Sequence, residues 1–352
     1  MQHFTSSHSY RRGFRCRTML TSLAVLAGLT VSCLAQEQPT PARQPGDFDQ
    51  QPGSQPARDR GKTSLVRAHS PRDDLGHWTP TDFARANPKL PTLVIAGDST
   101  AATGNPTHRG WGAVLVDYFD TNRINVINRA RGGRSFRTFY GEGLWKQIVD
   151  ALKPGDFVII EFGHNDGGGA RSRTGRGDVP GTGDETDEVT KRDATKEIVH
   201  TYGWYERTFI RDAKAKGATP IVSSPTVRNI WSNPNAKFRD ATITSQTTNY
   251  NAGNDQVERR MGRMFDWAKE VAEQEHVTFL NHSDSTADLL EKMGRERASR
   301  FFPADHTHTS TDGAIVNAET LIACLKAVPN LPLLKFLNDK GKAIAAWKLA
   351  TE

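Results

Sequence analysis

Short runs of nearly unbroken Val, Ile and Leu, separated by stretches of helical periodicity, restrict the fold of this 352-residue chain more than any other feature. The apolar runs are "TLVIAGD" (92–98), "INVINRA" (124–130), "DFVIIEFG" (156–163), "TPIVSSP" (219–225) and "VTFLNH" (277–282). Helical patterns fall between and after them: "GAVLVDYFD" (112–120), "GLWKQIVDALK" (143–153), "YGWYERTFIRDAKAKG" (202–217), a long stretch near 251–275, and a final helix near 312–327. A strand that is apolar on both faces must be covered on both faces, and strand–helix alternation supplies that cover as a parallel sheet between helical layers. The sequence therefore predicts an α/β domain without internal repeats. In such open sheets ligands bind at the carboxyl ends of the strands.

The domain does not begin at residue 1. Residues 11–35 open with Arg11, Arg12, Arg15 and Arg17, continue through "MLTSLAVLAGLTVSCLA" and reach small residues at Ala35, the pattern of a secretory leader spanning 1–35. The apolar stretch is short for a membrane span. "RRGF" has the form of a twin-arginine export signal, while Thr30 stands where a lipoprotein signal usually carries an aliphatic residue. Residues 36–76, rich in Pro, Gly and Gln and without apolar periodicity, cannot offset their ordering entropy by burial and read as a disordered spacer. The folded domain is assigned to 77–352, with its core starting near Leu90. A secreted or periplasmic location is the expectation.

The leader also changes the meaning of the net charge. Its arginines contribute +4 of the formal net charge of +6, which leaves the rest of the chain near neutrality and without the basic stripe of a nucleic-acid-binding protein. Of three cysteines, Cys16 and Cys33 lie in the leader region, so no disulfide framework exists; Cys324, in "AETLIACLKAV", reads as a core residue.

The chemistry lies in the segments at the strand ends. "GDST" (97–100) comes after the first strand, "NRARGGRSFRTF" (128–139) after the second, "GHND" (163–166) after the third, and "DHTH" (305–308) precedes the last helix. Singly each is an ordinary turn or cap. Together they form a complete set. Ser99 is a weak nucleophile unless a base takes its proton, and His308 can be that base. Asp305, three residues earlier, can reach the far imidazole nitrogen if the segment makes one turn. The Ser99 and Gly133 backbone N–H groups and the Asn165 amide can face the oxyanion of a tetrahedral intermediate. An alternative groups His306, His308 and Asp305 as metal ligands. That reading leaves three motifs unexplained, whereas the triad uses all four, so no metal or organic cofactor is expected.

The ordered set "GDST", "NRARGGRS", "GHND" and "DHTH" resembles the SGNH, or GDSL-like, hydrolase superfamily. With "RGWG" after the first block, "HTYGWY" and "FPADHTHTS", it is most similar to the rhamnogalacturonan acetylesterases over about residues 90–330. The resemblance implies a three-layer α/β/α sandwich around a five-stranded parallel sheet, a flavodoxin-like arrangement. It implies Ser99, Asp305 and His308 as catalytic residues, Ser99, Gly133 and Asn165 as the oxyanion hole, and acetylated plant polysaccharide, rhamnogalacturonan above all, as substrate. Acetylated xylan, lipid esters, or carbohydrate binding without catalysis are the alternatives. Arg134 and Arg137, beside the expected rim, are expected to bind acidic polysaccharide, since arginine forks suit carboxylates. Asp98, His164 and Asp166 are expected to hold loops, and Trp111, Trp204 and Tyr205 to pack. The insertion 167–193, glycine-rich and mixed in charge, is expected to be mobile near the rim. Nucleic-acid binding and membrane insertion of the domain have no support in the sequence, and the oligomeric state is left open.

Overall fold

The computed structural model describes residues 81–232 and 256–348. The proposed leader, the spacer and the first residues assigned to the domain lie outside the described residues. Strands β1 (Thr92–Gly97), β2 (Asn125–Asn128) and β3 (Phe157–Glu161) are followed by the antiparallel pair β4 (Thr186–Thr190) and β5 (Lys196–His200). Next come β6 (Thr219–Ser223), the short pair β7 (Trp231–Ser232) and β8 (Gln256–Val257), and β9 (Thr278–Leu280). Helices are α1 (Thr81–Arg85), α2 (Phe136–Gly141), α3 (Leu144–Ala151), α4 (Tyr202–Ala215), α5 (Met264–Gln274), α6 (His282–Met293), α7 (Arg295–Ser299), α8 (Thr311–Ala327) and α9 (Asp339–Ala343).

The five strands expected from the apolar runs form one parallel sheet in the order β2-β1-β3-β6-β9. Side chains alternate across a strand, and the core divides accordingly. Leu93, Ile95, Phe157, Ile159 and Ile221 face a layer that includes Trp111, Leu115, Tyr118, Leu321, Ile322 and Leu325. Val94, Ala96, Val158, Ile160 and Val222 face Phe136, Phe139, Trp145, Ile148, Phe209 and Val271 on the other side. Every residue of β1 and β3 is buried, which is why these strands read as continuous apolar runs. The result is a three-layer α/β/α sandwich. Phe209 of α4 stacks on Trp145 of α3 with centroids 4.0 Å apart and also touches Phe136, Phe139 and Phe162.

Three expectations about local structure change. "GAVLVDYFD" forms two 3-10 turns, Trp111–Ala113 and Leu115–Tyr118, in place of a regular helix. The stretch near 251–275 is helical only from Met264, with Gln256–Val257 extended and 251–255 outside the described residues. The insertion is not a bare loop, because its end folds as β4 against β5. Ahead of β1, Phe83 of α1 packs on the second core under the Arg129 guanidinium, 4.7 Å from the ring centre. Cys324 is buried and unpaired as expected. No helix among the described residues is long and apolar enough to cross a membrane.

Candidate active site

The strand order reverses between β2 and β3, on either side of β1, and this leaves a crevice at their carboxyl ends. "GDST" leaves β1 there and "GHND" leaves β3. Buried Asp98 organises the first turn: its Oδ1 accepts from the Thr100 N–H and hydroxyl, both at 2.8 Å, and its Oδ2 accepts from the His164 N–H at 3.3 Å. Thr100 Oγ1 also lies 2.9 Å from Glu161 Oε1, while Glu161 Oε2 accepts from Trp111 Nε1 at 2.9 Å. One hydroxyl proton cannot serve two carboxylates. Burial pushes the Asp98 carboxyl up against the lowering effect of the Thr100 and His164 donors. Asp98 thus caps the turn, as expected, and ties it to the third-strand loop.

Ser99 projects from this turn toward "DHTH". Its Oγ is 2.9 Å from His308 Nε2, and His308 Nδ1 is 2.7 Å from Asp305 Oδ2. The Asp305 Oδ1 accepts the backbone N–H groups of Thr307 and His308, each at 2.7 Å. Partial burial pushes this carboxyl up, but the His308 ring and the two N–H donors outweigh it and hold Asp305 well below the usual carboxylate range. An ionised carboxylate only accepts, so Nδ1 carries the imidazole proton and Nε2 presents its lone pair to Ser99. The segment is fixed from outside by paired bonds between residues 109 and 309: Arg109 N–H to Thr309 O at 2.8 Å, and Thr309 Oγ1 to Arg109 O at 2.7 Å.

The remaining predicted residues come to the same rim. The Arg131 N–H donates to Gly97 O at 2.9 Å, which lays the second-strand loop against the end of β1. Gly133 has φ +75°, a backbone conformation that a side chain would disfavour. Gly163, at φ +154°, allows close approach: a Cβ there would stand 2.5 Å from Pro225 Cγ. Asn165 Nδ2 donates to Arg134 O at 3.0 Å. Among the described residues neither the Ser99 nor the Gly133 N–H has an internal acceptor, so both are open to a ligand.

Arg137 does not line the rim, contrary to expectation. Ser135 caps α2 and sets the helical phase, and this turns Arg137 inward to 3% exposure. There it forks onto Glu197 of β5 at 3.0 and 2.7 Å and donates to Ala170 O and Gly177 O at 2.9 Å each. Burial raises the Glu197 carboxyl, but Arg137 more than offsets this and lowers it. Arg137 is committed to holding the insertion. Arg134 is half-buried and bonds Glu142 and Gly132 O. The insertion is pinned, not loose, where it meets the site: Ser135 Oγ donates to Arg176 O at 2.6 Å and the Asp178 N–H to Asp166 O at 3.1 Å.

Several participants escaped sequence reasoning. His108, in the loop tied to residue 309, sets its ring 4.8 Å from that of His308 and its Nε2 3.8 Å from Asp305 Oδ2. The group with metal-ligand character among the described residues is therefore His108, Asp305 and His308, without His306. A metal there would have to displace one of the two hydrogen bonds that the His308 ring makes. Arg176 Nη1 donates to Asn165 Oδ1 at 2.7 Å, a contact with no local signal in the sequence. His164 and Asp166 hold loops as read. Burial lowers the His164 imidazole to about 3, its Nε2 lies 3.1 Å from Thr226 Oγ1, and Asp166 accepts the Phe136 N–H at 2.8 Å. Trp111 and Tyr205 are buried, and Trp204 stacks on His200 with centroids 3.6 Å apart.

Comparison with known proteins adds independent findings. Residues 95–314 match the model of the GDSL-like lipase/acylhydrolase family. A rhamnogalacturonan acetylesterase of Emericella nidulans is 37% identical over 237 residues, covering 67% of this chain and 84% of that protein. Two Bacillus subtilis proteins are also similar. A probable rhamnogalacturonan acetylesterase is 27% identical, covering 68% of this chain and 94% of its own length. A rhamnogalacturonan acetylesterase is 26% identical, covering 71% and 96%.

Proposed function

The chain belongs to the GDSL-like lipase/acylhydrolase family and is a carboxylic ester hydrolase, and from that premise we propose that it removes O-acetyl groups from plant cell-wall polysaccharide, rhamnogalacturonan first among them, through a Ser99–His308–Asp305 acyl-enzyme mechanism. One observation carries the mechanistic reading: Ser99 Oγ, both nitrogens of His308 and Asp305 Oδ2 form an unbroken hydrogen-bonded chain at 2.9 and 2.7 Å.

In this reading Ser99 Oγ attacks the acetyl carbonyl carbon while its proton passes to His308 Nε2, and Asp305 stabilises the imidazolium. The oxyanion takes the free N–H groups of Ser99 and Gly133 and one N–H of the Asn165 amide. As the intermediate collapses, the carbon–oxygen bond to the sugar breaks and His308 protonates the departing hydroxyl. Water then attacks the acetyl-enzyme, gives its proton to His308 and releases acetate, restoring Ser99. The polysaccharide assignment is supported by the names of the three relatives. The proposal that the protein acts outside the cytoplasm is supported by the arginine-led apolar segment at 11–35.

The test is acetate or fatty-acid release by the full chain from acetylated rhamnogalacturonan, acetylated xylan and a long-chain ester, beside Ser99→Ala. Serine-dependent acetate release that favours rhamnogalacturonan is the expected result. A preference for xylan or the long-chain ester overturns the substrate assignment, and activity retained by Ser99→Ala overturns the mechanism.

A further inference from the structure

Asn165 can serve an oxyanion only if its amide nitrogen, and not its oxygen, faces the reacting carbonyl. The carboxamide ends are nearly equal in size, so packing alone does not choose between them. Hydrogen-bond partners do. A guanidinium has donors and no acceptor, so Arg176 Nη1, 2.7 Å from Asn165, must be faced by the amide oxygen. Arg134 O only accepts, so at 3.0 Å it must be faced by Nδ2. These two contacts exclude the flipped amide and leave one Nδ2 hydrogen uncommitted.

The same Arg176 nitrogen lies 3.4 Å from Gly133 O. One cation therefore touches both residues assigned as oxyanion donors besides Ser99. Its own place is built, not incidental: Arg176 O accepts from buried Ser135 Oγ at 2.6 Å, Gly177 O accepts from Arg137 Nη1 at 2.9 Å, and the Asp178 N–H donates to Asp166 O at 3.1 Å. All three anchors belong to α2 with its cap, which Gly133 precedes by two residues, or to the third-strand loop, which carries Asn165.

We propose that Arg176 is a positioning residue for the oxyanion hole, fixing the Asn165 amide with its nitrogen toward the oxyanion and polarising it with the guanidinium charge. The inference rests on the reading of Asn165 as an oxyanion donor. It gives the insertion 167–193 a positioning role at the site.

The experiment is a double-mutant cycle on kcat and KM with the full chain: Arg176→Ala, Asn165→Ala, the double variant, and Arg176→Lys. Arg176→Ala is expected to lower kcat by roughly 10- to 100-fold, less than or equal to loss of a whole donor at about 10²- to 10³-fold, with KM nearly unchanged. In the Asn165→Ala background the same change should cost less than about threefold, because residues that act through one another are not additive. Arg176→Lys, which keeps the charge and one donor, should recover part of the rate and covers the case in which the alanine variant folds poorly. Equal losses in both backgrounds, or a loss confined to KM, overturn the inference. If Asn165→Ala is impaired and Arg176→Ala is not, the inference alone falls. If Asn165→Ala keeps full kcat, the oxyanion reading falls and takes the inference with it.

Discussion

On the proposed base side of the site the groups order one another; on the proposed oxyanion side they are ordered by the insertion, which takes no direct part in the proposed reaction. Asp305 and His308 share four residues of chain, and the carboxylate takes the His308 ring on one oxygen and two N–H groups of its own turn on the other. Gly133 and Asn165 lie in loops that follow different strands, β2 and β3. Their geometry depends on Arg176, and Arg176 depends on Ser135, Arg137 and Asp166. A site half local and half distributed should fail in two different ways. The local half should lose chemistry without losing stability, and the distributed half should lose both.

The largest effect belongs to the local half. Ser99→Ala should reduce kcat by at least about four orders of magnitude, with thermal unfolding within about 2 °C of the parent, because Ser99 lies outside both packed cores. A large drop in melting temperature would mean that the triad is part of the scaffold and would erase the contrast. Next comes Asn165→Ala, at about 10²- to 10³-fold in kcat. Turnover should remain measurable there when it is absent from Ser99→Ala, and equal losses would contradict the division of roles.

Arg137→Ala attacks the distributed half at its bolt. It leaves Glu197 with Lys191 as a remaining cation and leaves the Ala170 and Gly177 carbonyls without the Arg137 donor, so chemical denaturation should show a loss of about 2–4 kcal/mol, the scale for breaking a buried pair. kcat should fall with it as Arg176 loses its support. The ratio of rates on an acidic and a neutral acetyl ester should stay constant. A selective loss on the acidic substrate would restore Arg137 to the substrate-binding role that its sequence position suggested.

The same contrast explains what could be read in advance. Strands β1 and β3 were legible because burial on both faces leaves no polar alternation to hide them, and the contact of His308 with Asp305 was legible because both lie within "DHTH". Arg137 misled because its neighbours Gly133 and Arg134 are at the rim, while the Ser135 cap starts a helix whose phase carries the next arginine inward. α6 was hidden by its buried polar start, "HSDST", whose His282 bonds Asn317 O and whose Ser283 N–H bonds Ser224 Oγ. Arg176 and His108 were invisible for a different reason: each meets the site through contacts across the fold, and nothing in "GRGD" or "THRG" states them. Glycine and charge in the insertion suggested mobility, yet its carbonyls are the acceptors that Arg137 and Ser135 require.

The smallest effect tests how the insertion is held at its second anchor. Asp166 and Asp178 are both buried, and among the described residues Asp166 Oδ2 and both Asp178 carboxyl oxygens have no donor. Burial raises the Asp166 carboxyl to about 7 against the Phe136 N–H that lowers it, and burial together with the Asp166 charge raises Asp178 well above its ordinary value. A carboxyl whose folded pKa lies above its unfolded value of about 3.9 favours folding fully below that value, and the contribution is lost as pH rises through the folded pKa. For Asp166 the loss falls between about pH 4 and about pH 7. Asp178→Asn replaces one acid with a neutral amide that can donate to Asp166 Oδ2, and it leaves the pair with one charge to bury instead of two. The variant should therefore melt a few degrees above the parent at about pH 9 and nearly with it only at or below about pH 4, since a domain of this size moves about 2–4 °C per kcal/mol. A difference that does not change with pH would show that the carboxyl pair does not titrate within the fold, and this anchor would then rest on the Asp178 N–H to Asp166 O bond without its carboxyls.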